Sequence, residues 1–129
     1  MKKSSFILAG PQGLLDAWSI PHFLFGMVMA LVAIVFQLPI LTTFVVLVVI
    51  AILWEFFEMR MKLRENLWNV ISDVLLPLLA YPVTVWLVQQ TEIQPEEQVA
   101  FFIVAILIYF YSNIMAWQAR FNNDPDYMS

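Results

Sequence analysis

A few side chains able to titrate, ligate a cation or hydrogen-bond interrupt otherwise apolar stretches: His22, Glu55, Glu58, Asn66, Asn69, Ser72, Asp73 and Asn113. In helical conformation Glu55 and Glu58 are i, i+3 and Asn69 and Asp73 are i, i+4, so each pair shares a helix face. Asn66, seven residues before Asp73, extends the same stripe. Three carboxylates, one imidazole and several amides have few joint uses. A divalent cation is one: oxygen-rich sites with a single nitrogen suit Mg²⁺, Mn²⁺ or Fe²⁺ better than structural zinc, and the ligand set would be His22, Glu55, Glu58 and Asp73. Close carboxylates can instead share a proton, with His22 titrating near neutrality. A third use is recognition of a lipid headgroup whose phosphate would meet Arg60 and Arg64. Residue types alone do not choose among the three.

Plainer roles compete with each of these. Glu58 is close enough to the end of its apolar run to reach water or to pair with Arg60, Lys62 or Arg64. A lone histidine at a membrane edge is more often a packed residue than a ligand, and Asn69 and Asn113 suit interhelical hydrogen bonds. Glu55 and Asp73 lie deeper, where an ionised carboxylate facing lipid costs several kcal/mol, so they carry the strongest signal. No catalytic residue is assigned. One histidine cannot build a zinc protease site, and no nucleophile motif surrounds Ser72 or Ser112. The absence of cysteine excludes disulfides, thiolate metal sites and cysteine nucleophiles.

The frame that must position these residues is written in the composition. Of 129 residues 62% are hydrophobic and 12% are charged, with a mean hydropathy of +0.81. About a quarter of a soluble domain is charged, so a soluble enzyme, a nucleic-acid binder and a disordered protein are excluded. A net charge of −4 likewise offers nucleic acid no basic surface. Four apolar runs, 21–37, 40–59, 67–88 and 99–118, each have the length of a membrane-crossing helix. The expected fold is an all-α membrane protein with four transmembrane helices in an up-down bundle. Residues 1–19 form an N-terminal segment, 20–118 the transmembrane domain and 119–129 a loose polar tail. The short apolar stretch at residues 6–9 is no secretory signal and marks an uncleaved start. Ser19 is the expected N-cap of the first helix, residues 13–18 a short interfacial helix with Trp18 at headgroup depth, and Pro77 and Pro82 a bend in the third span.

All six basic residues fall at one end of these spans: Lys2, Lys3, Arg60, Lys62, Arg64 and Arg120. Glu92, Glu96 and Glu97 occupy the opposite loop. Basic residues stay cytoplasmic, which places both termini there. At 1.5 Å per residue, His22, Glu55, Glu58, Asn69, Asp73 and Asn113 then lie within roughly 10 Å of one membrane face. His22, Gly26 and Ala30 form a stripe, with Ala33 beyond, where small residues admit a neighbouring helix. Trp18, Trp54, Trp68 and Trp117 are expected in one interfacial belt and Trp86 in the other.

His22 with Gly26 one turn on, then Trp54-Glu55-Phe56-Phe57-Glu58, then Asn66 and Asn69-Val70-Ile71-Ser72-Asp73, resembles the VanZ-like group of small bacterial membrane proteins. Asp16, six residues before His22, fits the same outline. The likeness runs over about residues 14–88 and departs where members carry a glycine after the aspartate, since this chain has Pro77 there. It implies a matching polar cluster and a multi-pass protein of the bacterial inner membrane, with links to glycopeptide resistance and envelope biology but no defined reaction. Two functional classes follow. One is a polar pocket facing the cytoplasm that binds a cation, a proton or a lipid headgroup, with membrane lipids as partners. The other is an accessory subunit of a respiratory or photosynthetic membrane complex, in which the cluster only locks the helices. Pigment ligation by His22 is disfavoured, since interfacial histidines are common.

Overall fold

The computed structural model describes residues 7–9, 15, 16, 18–60 and 67–123. Four helices dominate: α1 (Ser19–Val35), α2 (Ile40–Arg60), α3 (Leu67–Gln90) and α4 (Pro95–Asn123). Three of them are long and apolar enough to cross a membrane, with a mean hydropathy over an 18-residue stretch of 2.6 in α2, 1.8 in α3 and 2.2 in α4. With 17 residues, α1 falls just below that length. Before α1, β1 (Ile7–Ala9) pairs antiparallel with β2 (Leu15–Asp16). This short ribbon stands where an interfacial helix was expected over 13–18.

The ends of the helices follow from local chemistry. At the end of α1, Gln37 adopts a positive φ of 54°. The Leu38 N–H donates to the Ala33 carbonyl at 2.8 Å and the Gln37 N–H to the Ile34 carbonyl at 3.3 Å. This pair of bonds closes the helix on itself as a Schellman motif, and Pro39 prevents its continuation. Thr43 returns both its N–H and its hydroxyl to the Pro39 carbonyl, which starts α2. The Glu97 carboxylate accepts the Gln94 N–H at 3.0 Å, half of a capping box with Pro95 in the first helical position. Ser19 does not cap α1; the helix begins at Ser19 itself, after Trp18, with no side-chain cap. The fourth helix also runs further than the apolar pattern, starting at Pro95 and continuing to Asn123, so part of the expected loose tail is helical. Through Pro77 and Pro82, α3 is unbroken.

Four antiparallel helices do not make a square bundle here. The most extensive packing is α1 on α3, followed by α1 on α4, and α1 also touches α2. The first helix is thus the central post, and its small side chains are the reason. Gly26, Ala30 and Ala33 are all buried. A Cβ built on Gly26 would stand 2.4 Å from the Pro77 carbonyl oxygen and 2.9 Å from the Ala80 Cβ, so α1 and α3 meet almost backbone to backbone. Ala30, Leu47, Tyr81 and Val85 pack between α1, α2 and α3, while Val28, Leu31 and Ala105 form the separate seam with α4. The Tyr81 hydroxyl donates to the Ile40 carbonyl at 2.7 Å and ties α3 to the start of α2. Only 11% of the α4 span is buried, against 39% for α3, so α4 presents most of its apolar surface outward.

Candidate functional site

Most of the buried polar side chains gather at the ends of the helices remote from the Gln37 turn. They are Ser19 of α1, Glu55 and Glu58 of α2, and Asn69, Ser72 and Asp73 of α3, while Thr43 and Thr84 are buried toward the other end. The tight turn makes α1 and α2 antiparallel. Arg60 and Leu67 are seven residue steps apart, at most about 25 Å and shorter than the roughly 31 Å length of α2, so α3 starts nearer the end of α2 than its beginning. His22 therefore arrives from α1, Glu55 from α2 and Asp73 from α3 at one depth.

The convergence is close. One ligand atom from each of His22, Glu55 and Asp73 lies within 4.8 Å of the others. His22 Nε2 stands 3.4 Å from Asp73 Oδ2, with the imidazole 12% exposed and the carboxylate fully enclosed. Helix geometry explains the meeting. Gly26 is one turn from His22 and Pro77 one turn from Asp73, and the Gly26–Pro77 contact draws the two polar residues together a turn away. As proline has no N–H, Pro77 donates no helical hydrogen bond to the Asp73 carbonyl. Ligands sharing an ion at about 2.1 Å stand about 3–4 Å apart, so small side-chain rotations suffice to close this group on a cation.

Other expected members are placed differently. Glu58 is 3% exposed, which overturns its reading as an interfacial residue reaching water. Its Oε1 accepts the Trp54 indole N–H at 2.9 Å, and it is outside the three-residue group. Asn113 donates to the Tyr109 carbonyl of its own helix at 2.8 Å. The Ser72 and Ser112 hydroxyls likewise donate within their own helices, to the carbonyls of Asn69 and Tyr109. Asn69 is buried at the start of α3 as expected, and Arg60 is exposed at the end of α2. Asn66 and Arg64 lie outside the described residues. Trp18 is 1% exposed and meets Trp117, another expected member of that belt, edge to face at 5.0 Å.

A cavity of about 80 Å³ adjoins the group, with His22 in its wall. Its lining includes Phe25 of α1, Ala51 and Trp54 of α2, Pro77 of α3, and Tyr109 and Asn113 of α4, so all four helices meet there. The aromatic members carry no charge near neutral pH, so a search for charged side chains passes over them. Spacing gives the only hint, since Trp54 lies one turn before Glu58 and Tyr109 one turn before Asn113. No family model matches the chain, and no curated protein or solved structure matches it significantly.

Proposed function

We propose that this is a multi-pass membrane protein whose polar cluster binds a divalent cation through His22, Glu55 and Asp73. The observation that carries this reading is that one imidazole nitrogen and two carboxylate oxygens, from three different helices, lie within 4.8 Å of one another. Two buried carboxylates so close repel when both are ionised, and a divalent cation between them removes that cost while using the imidazole as a third donor. The nitrogen–oxygen mixture favours Mn²⁺ or Fe²⁺ over calcium. Basic residues at one end of the helices support an orientation with that end and both termini in the cytoplasm, so the site would load from the cytoplasmic leaflet.

The test is Mn²⁺ binding to the purified protein, followed by electron paramagnetic resonance of free and bound ion. His22→Ala, Glu55→Gln and Asp73→Asn should each weaken binding at least about tenfold, since replacing even outer-shell partners costs that much. Glu96→Gln, at the opposite end of the helices, should bind as the parent does. Equal affinity in all three site variants, or no binding by the parent, would overturn the reading.

A further inference from the structure

The cavity beside His22 has an opening that a cation site alone does not require. Most of its lining comes from α1, α2 and α4, with Pro77 the single member from α3. Of these, α2 and α4 flank α1 on different sides and share no extensive contact. Ile50 of α2, 40% exposed, is the one exposed residue in the lining, so the space reaches the outer surface of the helices there. Leu53, three residues on from Ile50, and Phe110, next to the lining residue Tyr109, are 60% and 59% exposed. Ile50 precedes Arg60 by ten residues, about 15 Å along the helix, so in a chain that spans the membrane this exposed edge stands at the depth of the acyl chains.

The lining divides by chemistry. His22, which belongs to the cation group, is at one side, and Phe25, Ile50, Ala51 and Trp54 make an apolar and aromatic wall. Three protein donors leave a six-coordinate ion with open positions, and phosphate oxygens are the usual ligands that hard divalent cations recruit beyond the protein. Two carboxylates already neutralise a divalent ion, so one anionic oxygen ligand adds only a single net charge. A volume of about 80 Å³ exceeds the 10–15 Å³ that one water needs, and it accommodates a phosphate-sized group but not a diacylglycerol body. An occupant whose polar end fits inside must leave its chains outside, and the exposed edge at Ile50 leads to the apolar outer surface where chains belong.

We propose that this cavity admits a phosphate-bearing membrane lipid sideways from the bilayer. The lipid's phosphate completes the coordination of a cation held by His22, Glu55 and Asp73, while its first methylenes lie against Phe25, Ile50 and Trp54. This rests on the cation reading above and adds the class of ligand and its route.

The experiment counts lipids retained on the full chain by native mass spectrometry from detergent micelles. Phosphatidic acid is the probe, with diacylglycerol as the phosphate-free comparison, each in Mn²⁺ or in EDTA. Retention of phosphatidic acid should rise at least about tenfold in Mn²⁺, a coupling of about 1.4 kcal/mol, and retention of diacylglycerol should not change. Ala51→Phe fills the cavity from the α2 wall, and Ile50→Trp blocks its rim from an exposed position that the fold tolerates better. Either variant should return retention to its EDTA level with bound Mn²⁺ unchanged. Equal retention in Mn²⁺ and EDTA, or full retention in both variants, overturns the lipid proposal and leaves the cation site standing. Displacement of the lipid by millimolar inorganic phosphate identifies free phosphate as the ligand and also overturns it. If the parent protein holds no Mn²⁺, the cation reading has failed and the lipid proposal falls with it.

Discussion

Gly26 decides more of this site than its lack of a side chain suggests. Its missing Cβ would meet the Pro77 backbone, with the carbonyl oxygen 2.4 Å away and the Cα 2.8 Å away, and backbone cannot swing aside as a side chain can. Gly26→Ala should therefore push α1 off α3 and cost about 1–3 kcal/mol, the usual range for overpacking, and Gly26→Leu should cost more. Thermal unfolding in detergent checks the order. Because His22 and Asp73 are each one turn from this contact, Mn²⁺ affinity should fall along with stability. Loss of stability with metal affinity retained would mean that the contact does not set the His22–Asp73 distance. At this scale the sequence was partly legible. Depth follows from counting 1.5 Å per residue, which is why His22, Glu55 and Asp73 could be grouped before any coordinates. Azimuth is coarser: two residues three apart differ by about 60° around the helix. That is enough for Glu55 to join the cluster while Glu58 turns to Trp54. Asn113 lines the cavity beside His22, while one of its amide N–H groups is satisfied on the carbonyl one turn back in its own helix.

Between elements, the α1–α2 turn concentrates the local conformational cost. Gln37 holds a φ of 54°, a left-handed conformation that costs a side-chain-bearing residue roughly 1 kcal/mol and glycine almost nothing. Gln37→Gly should raise stability by a few tenths to about 1 kcal/mol, reduced by glycine's larger unfolded entropy. Gln37→Val should lower it, because a β-branched residue resists that conformation. A second fastening lies across the same end, where the Tyr81 hydroxyl reaches the Ile40 carbonyl. Tyr81→Phe keeps the ring beside Phe44 and removes only the hydrogen bond, so unfolding should become easier by about 0.5–1.5 kcal/mol. An unchanged melting temperature would show that lipid or water replaces the phenol. Helix existence was legible throughout, because long apolar runs bounded by proline and polar residues have few other outcomes. The β1–β2 ribbon was not, since a strand of three residues against one of two offers no periodicity to read. The central place of α1 was legible only as a stripe of small residues, which announces a close neighbour without naming it.

For the whole molecule, the open question is how many times the chain crosses. By length and hydropathy α2, α3 and α4 qualify as spans, whereas the 17 residues of α1 cover about 26 Å of a hydrocarbon layer about 30 Å thick. Burial argues that α1 crosses nonetheless. It packs against all three other helices, and a central helix screened by its neighbours needs less apolar length than one standing alone in lipid. Charge argues the same way. Lys2 and Lys3 precede α1, Arg60 ends α2 and Arg120 lies near the end of α4, while Glu92, Glu96 and Glu97 gather at the other end. If α1 failed to cross, the two lysines would be stranded opposite the other basic residues, against the charge bias. The absence of cysteine makes the question directly measurable, because any introduced thiol is the only one present. In intact bacterial cells, a membrane-impermeant maleimide should label Gln94→Cys and spare both Ser4→Cys and Ser129→Cys until the cells are opened. Labelling of Ser4→Cys together with Gln94→Cys would show that α1 does not cross. Its His22 would then not share the depth of Glu55 and Asp73, and the three-helix cation site could not form in the membrane.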